Sequence, residues 1–340
     1  MTEMAAFAFV WVALGCAPGV SSDTAADAEP PQPDGSISNT PDALPVVDAG
    51  TAPSDATPGL ADAVPAMADA APSADASVVA PNGVSDSFTT AVTDVLTTPG
   101  LWNVLYADRA ASARVAAGRL DIVAFNSETV GAHNGWFQDD HGPLLYQNVT
   151  GNFAVAARLR VVDEADPGQP PVGNFKAGGF VIRDPAGTHS GDENWIMYNM
   201  GFNQGAYRRE AKKTTSSVSG LYLNPQTFTE SALLVCRVAG RFYFHAWNTG
   251  TQTWVAERFQ PGTTLHHVAV VPEVDTSGAS PIHFNDQLPD AVQVGVMSHA
   301  WEYAGNGSRT LASYDWVEFA IQPPAAVSEC TSGFSPLDLP

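Results

Sequence analysis

Alternation along residues 194–202 divides the side chains into two sets. Trp195, Met197, Asn199 and Gly201 fall on one face, and Ile196, Tyr198, Met200 and Phe202 on the other. The second set is the more uniformly apolar and is expected to face a core. The first combines a large ring, an amide and a glycine, with Arg183 nearby at the end of the preceding apolar run. Sugars present apolar faces that stack on aromatic rings, and hydroxyls that need Asn, Asp, Arg or Glu in the same cleft. Trp136, Trp247 and Trp301 each lie beside a turn and would rim such a surface. The candidate ligand-binding residues are therefore Trp195, Asn199, Arg183, Trp136, Trp247 and Trp301. Core packing is the competing role for each tryptophan.

Other chemistries leave weaker traces. The chain has no His-Glu-x-x-His, no Cys-x-x-Cys and no Gly-x-Ser-x-Gly. His266 and His267 are adjacent, so on a strand they face opposite sides and do not readily share a metal. Asp139-Asp140-His141 offers oxygen ligands suited to calcium, and also suits a solvated acidic turn before Gly142-Pro143. The acidic turn is the favoured reading, so no cofactor is expected, with calcium the one ion the segment would suit. No catalytic residue and no metal ligand is assigned.

The elements that position these residues read as short strands. Residues 101–105 form an early strand. A hairpin over 113–123 turns at Ala117-Gly118, and a second, over 233–247, turns at Ala239-Gly240. Strands are expected at 144–149, 153–161, 176–183, 194–202, 253–255, 292–299 and 311–319, separated by Gly, Pro and Asn turns. No helix of convincing length is present. Many short strands at regular spacing predict an all-β sandwich or jelly roll.

Several of these motifs occur in a familiar order. Gly142-Pro143-Leu144-Leu145-Tyr146 is followed by Val149-Thr150-Gly151-Asn152-Phe153, by Ala177-Gly178-Gly179-Phe180-Val181-Ile182-Arg183 and by Glu193-Asn194-Trp195. The Arg237-Val238-Ala239-Gly240 hairpin comes later, with Trp254 behind it. Over about 88–320 the chain resembles the concanavalin A-like lectin/glucanase superfamily, in particular bacterial domains similar to the C-terminal domain of family 43 β-xylosidases. The resemblance implies a curved jelly-roll sandwich of two antiparallel sheets. It does not imply one function, because sugar binding, hydrolysis and pure packing all occur on this fold. Sandwich glucanases of that superfamily carry Glu-x-Asp-x-x-Glu on one strand, which holds a nucleophile and an acid about 5 Å apart. Here Glu164-Ala165-Asp166 runs into Pro167-Gly168, and Glu273-Val274-Asp275 into Thr276-Ser277-Gly278, both without the second Glu.

The segment before the sandwich is of another kind. Residues 5–14 are apolar, and Ala13-Leu14-Gly15-Cys16 resembles the box that precedes the lipidated cysteine of bacterial lipoproteins. Residues 1–16 are expected to be that signal, with Cys16 the lipidated residue. Residues 17–85, rich in Ala, Asp, Pro, Ser and Thr and lacking Lys and Arg, are expected to be a disordered linker. The sandwich is expected over 86–322 and a C-terminal tail over 323–340. Cys236 and Cys330 suit either a disulfide in an oxidising compartment or two separate thiols.

Of the chain's net charge of −21, the 15 basic and 25 acidic residues of 86–340 account for −10. That balance argues against nucleic acid and against electrostatic attachment to anionic lipid. It also favours a neutral or weakly basic glycan over a strongly anionic one. These readings converge on an exported, monomeric protein of the cell envelope, which meets the membrane only through its lipid anchor and binds a glycan or polysaccharide without catalysis. A glycosidase or lyase with unrecognised carboxylates, and a structural or adhesive module that binds protein, are the other classes in view.

Overall fold

A computed structural model describes residues 83–126, 133–203, 205–266, 277–301, 308–332 and 334. Cys16 and the linker up to residue 82 lie outside the described residues, as does His267. The strands, in chain order, are β1 (Asn103–Leu105), β2 (Ala110–Ala116), β3 (Arg119–Ala124), β4 (Leu144–Thr150), β5 (Phe153–Asp163) and β6 (Lys176–Arg183). They continue with β7 (Trp195–Asn203), β8 (Ala206–Thr215), β9 (Val218–Pro225), β10 (Glu230–Val238) and β11 (Arg241–Asn248). The last are β12 (Thr253–Ala256), β13 (Thr264–His266), β14 (His283–Asn285), β15 (Ala291–Ala300) and β16 (Thr310–Phe319).

Two sheets result. The front sheet runs β1-β4-β15-β6-β7-β8-β9-β13, and the back sheet β12-β11-β10-β5-β16-β3-β2, with β14 pairing β11. The strand pairings in both are antiparallel. The chain passes between sheets from β4 to β5 to β6, and again from β15 to β16. This is the all-β jelly-roll sandwich of two antiparallel sheets expected from the motifs. Both anticipated hairpin turns are present, with φ of +51° and +72° at Ala117-Gly118 and +52° and +70° at Ala239-Gly240. Positive φ at both central residues matches the twist of the flanking strands.

Alternation decides what faces the interior. Phe153, Val155, Ala157 and Leu159 of β5 meet Phe180, Ile182, Ile196, Tyr198 and Met200 of the front sheet in one apolar core. The set expected to be the inner face of β7 is therefore the inner face. Tyr314 of β16 ties the sheets together from the back: its hydroxyl accepts from Gly179 N at 2.8 Å and Met297 N at 3.3 Å. Burial pushes its phenol well above the ordinary range.

Both ends of the sandwich are pinned. Val84 N donates to Gln147 Oε1 at 2.7 Å and Phe319 N to Ser85 Oγ at 2.9 Å, so ordered packing starts before residue 86. The segment read as a tail is docked in its described part. Cys330 is joined to Cys236 of β10, and Phe334 packs edge-on against Trp254 on the outer face of the back sheet. The disulfide spans a sequence separation of 94 residues. Closing so long a loop restricts the unfolded chain, which is typically worth about 2–4 kcal/mol. Reduction, or Cys330→Ser, is expected to lower Tm by roughly 5–15 °C with the sandwich still folding cooperatively. Melting curves with and without reductant check this, and an unchanged Tm would contradict it.

Candidate functional site

The outer face of the front sheet is covered by a strap, residues 133–141, which bonds down onto the strands. Asn134 Nδ2 donates to Arg109 O at 2.8 Å and Phe125 O at 2.7 Å. Trp136 N donates to His299 Nδ1 at 3.4 Å, and Gln138 N to Ser219 Oγ at 2.7 Å. Asp139 accepts from Gly191 N at 3.2 Å and from Ser217 Oγ, so both carboxylate oxygens already have protein partners. Gly135 permits the close approach, because a Cβ there would lie 2.2 Å from His299 Nε2. Underneath, the Lys212 ammonium donates to Trp136 O at 2.9 Å and pairs with Glu210 at 2.7 Å.

Strand register sets the residues beside the strap. Met197, Lys212, Leu221 and His266 form one row across β7, β8, β9 and β13. His299, Ala177, Gly201 and Arg208 form another across β15, β6, β7 and β8. Asn199 and Glu210 lie opposite each other between these rows. A chamber of about 130 Å³ opens beside the strap, walled by Phe137, Phe175, Trp301, Lys212, Leu221, His266 and His299, and Ala177 and Gly201 put little bulk on the floor of a narrower space next to it. This narrow extension of about 10 Å³ shares Phe175 with the chamber and is bordered by Lys176, Asn199, Asn203, Arg208 and Glu210. Several polar atoms here are buried without a partner among the described residues: Asn199 Nδ2, both side-chain atoms of Asn203, His266 Nε2 and His299 Nε2. Buried polar atoms are normally bonded, so a set of orphans lining one cleft points to a ligand or ordered water that completes them.

The six residues singled out by type divide among several places. Asn199 is on the floor of the cleft and Trp301 forms its wall, stacked on His133 with ring centroids 4.0 Å apart. Trp195 is on the expected outer face, but it is fully buried beneath the strap, edge-to-face with the equally buried Trp136 at 6.0 Å. Neither ring offers a face to a ligand. Arg183 is buried too, and donates to Glu193 at 2.9 and 2.7 Å and to Gln293 at 3.1 Å. It clamps the 184–194 connection. Trp247 is on the back sheet, packed against Trp254 at 5.4 Å, and does not join the others. Phe137, Phe175, Lys212, Glu210 and His299 were not singled out from the sequence, and His266 was weighed there only as a metal ligand. The alternation Arg208-x-Glu210-x-Lys212 was the signal available for two of them.

A larger cavity, about 850 Å³, opens at the edge of the sandwich near Trp247 and Phe228. Its charged groups are largely satisfied by one another. Glu257 takes hydrogen bonds from Tyr198 at 2.6 Å, Asn224 at 2.6 Å and Arg209. The concentration of orphaned polar atoms lies instead in the cleft beside the strap.

Electrostatics at the strap are set by burial. His299 is pushed well below the ordinary imidazole pKa by burial first, then by the ammoniums of Lys212 and Lys176 and by His133. Burial likewise lowers Lys212, opposed by Glu210. At the other end of the strap, His141 stacks on Tyr106 at 3.9 Å and on His189 at 4.2 Å. Burial, then His189 and Arg109, lower its pKa from 6.5 to about 4.

No protein-family model matches the chain, and no curated protein matches it. Solved structures similar to it include a GH43 protein from Bacillus licheniformis, at 13% identity and a TM-score of 0.44, over 69% of this chain and 38% of that one. A functionally unknown protein from Saccharomyces cerevisiae is similar at 14% identity and 0.41, over 66% and 97%. A β-1,3-1,4-glucanase from a mouse hindgut metagenome is similar at 11% and 0.38, over 69% and 97%. The chain thus spans well under half the length of the GH43 protein.

The lowered His141 pKa makes strap stability depend on pH. Between about 4 and 6.5 the unfolded chain holds more protons than the folded one. The contribution is complete above 6.5 and is lost as pH falls towards 4. For this half-buried ring the loss by pH 5 is about 1 kcal/mol. His141→Asn is therefore expected to flatten the fall of Tm between pH 7 and pH 5 by roughly 2–4 °C. Thermal melts of both proteins across that range check it, and parallel curves would contradict it.

Proposed function

We propose that the protein is an exported glycan-binding protein, anchored by lipid on Cys16, whose sandwich holds sugar in the cleft beside the strap without hydrolysing it. The single observation that carries the reading is the pairing of three aromatic walls, Phe137, Phe175 and Trp301, with the orphaned amides of Asn199 and Asn203. Sugar rings need that combination of apolar faces and hydrogen-bonding groups. The chamber has room for about four waters, the scale of a single sugar ring. Glycosidic hydrolysis of the common kind needs two carboxyl groups flanking the bond. Among the described residues Glu210 is the one carboxylate bordering the cleft, and it is engaged by Lys212. The Cys236–Cys330 disulfide supports an oxidising compartment and hence export.

Two substitutions separate binding from packing. Trp301→Ala should weaken glycan binding by ~1–3 kcal/mol, about 5- to 150-fold, with Tm nearly unchanged. Trp195→Ala should do the reverse to stability, costing about 3–5 kcal/mol through the cavity it leaves. A glycan array with the wild-type protein and both variants, beside thermal melts, reads both effects. Retention of no glycan by the wild-type protein, or full retention by the Trp301 variant, would contradict the assignment, and release of reducing ends from a bound glycan would contradict the non-catalytic reading. For the anchor, Cys16→Ala is expected to move the protein from the membrane to the soluble fraction, and a variant that stays with the membrane rules lipidation of Cys16 out.

A further inference from the structure

The charges that border the cleft are spent within the protein. The Lys212 ammonium donates to Trp136 O at 2.9 Å, pairs with Glu210, and lies over the Phe137 ring at 5.3 Å and the Trp195 ring at 6.0 Å. Arg208 donates to Gly262 O at 3.3 Å, and Lys176 has a partner as well. The groups left open at the narrow extension are of both kinds. Asn199 Nδ2 and Asn203 Nδ2 are donors without an acceptor among the described residues, and Asn203 Oδ1 is an acceptor without a donor. Turning the Asn203 amide over leaves the same count. Glu210 Oε1 is held by the charge of Lys212 but accepts no hydrogen bond, so it is a second open acceptor.

Size and polarity together define what fits. At about 10 Å³ the extension has room for about one water-sized group. A hydroxyl has one O–H to donate and two lone pairs that accept, the complement of two amide donors with an acceptor beside them. A carboxylate only accepts, and would face Glu210 Oε1 and Asn203 Oδ1. The border also includes Phe175, Ala177 and Leu223, apolar groups that suit a methylene. Lys212 and Glu210 are two residues apart on one face of β8, as Leu221 and Leu223 are on β9. The extension therefore lies one side-chain row, about 7 Å, from the chamber. A hydroxyl borne directly on a ring in the chamber stays beside the aromatic walls, whereas one on an exocyclic carbon reaches further. We infer that the extension receives the hydroxymethyl arm of a hexopyranose whose ring lies in the chamber, with Asn199 and Asn203 holding the hydroxyl of that arm. This rests on the glycan-binding reading and names its sugar class: hexoses with a free hydroxymethyl group, in preference to pentoses, 6-deoxy sugars and uronic acids. A hydroxyl entering the extension replaces water and reproduces its hydrogen bonds, whereas a hydrogen or a methyl group leaves the amides unpaired.

Calorimetry on the full chain tests the inference. The probes are oligosaccharides of glucose, mannose and galactose, each beside its 6-deoxy form, with xylose oligosaccharides as the pentose match of the glucose series. At least one hexose series should bind roughly 10- to 100-fold more tightly than its 6-deoxy form. Asn203→Ala removes an open donor and an open acceptor together. It should bind that hexose no more tightly than the 6-deoxy form, with Tm unchanged, because no hydrogen bond within the protein is lost. Asn199→Ala, which removes the other open donor, should narrow the preference in the same direction. Xylose or 6-deoxy oligosaccharides that bind as tightly as the matching hexose, or a preference that persists in both variants, would overturn the inference and leave glycan binding standing. A large fall of Tm in Asn203→Ala would show that its amide is already bonded, and would overturn the inference too. Absence of binding to every probe alike would overturn the glycan reading itself.

Discussion

A buried ammonium must be neutralised and hydrogen-bonded or it destabilises the fold by several kcal/mol. Lys212 meets that requirement with two partners from different parts of the chain: Glu210, its neighbour along the same face of β8, and the carbonyl of Trp136 in the strap. The second bond fixes where the strap lies. Once Trp136 is held there, its ring closes over Trp195, and Gln138 and Asp139 reach Ser219 and Ser217. Phe137 is then left as a wall of the open chamber rather than part of the buried cluster. The lysine both attaches the cover and lines the space that the cover leaves free.

The narrow extension beside it depends on small residues. Gly201 and Ala177 oppose each other across β6 and β7, and a Cβ on Gly201 would lie 2.1 Å from Lys176 O. Close approach of these strands, rather than ligand contact, is what requires glycine at 201. The low floor is a by-product of that packing. Larger side chains on either side, Asn199 and Glu210 towards one end and His299 and Arg208 towards the other, then carry the polar groups that the floor lacks.

Much of the fold was legible because its signals are local. Alternation assigned the inner and outer faces of β7, and Ala-Gly pairs marked two hairpins. Strands β8 and β9 were not legible. Arg208, Arg209, Glu210, Lys212 and Lys213 fall on both faces of β8, so no apolar period stands out, and Arg209 and Lys212 find partners far away in sequence, Glu257 and the Trp136 carbonyl. The same holds for the site. Residue type and alternation find Trp195 and Arg183, yet nothing local reveals that a strap 54 or more residues upstream covers the one or that Glu193 occupies the other. Asn199 and Trp301 were reached by type, while His266, His299, Phe175 and Lys212 come together only through strand register.

Net charge is a global signal and does not describe the lining of one cleft. The chain is strongly acidic, but three of its 15 basic residues border one small cleft, and buried charges act at short range with little screening. The central claim is that sugar binds at this cleft and not at the larger opening near Trp247. The most direct measurement is amide and side-chain chemical-shift mapping by NMR during titration with the best-binding oligosaccharide. The account predicts shifts centred on Phe175, Asn199, Lys212, Leu221 and Trp301, with Trp247, Phe228 and Arg209 unmoved. Shifts confined to the second group, with the first unmoved, would contradict it.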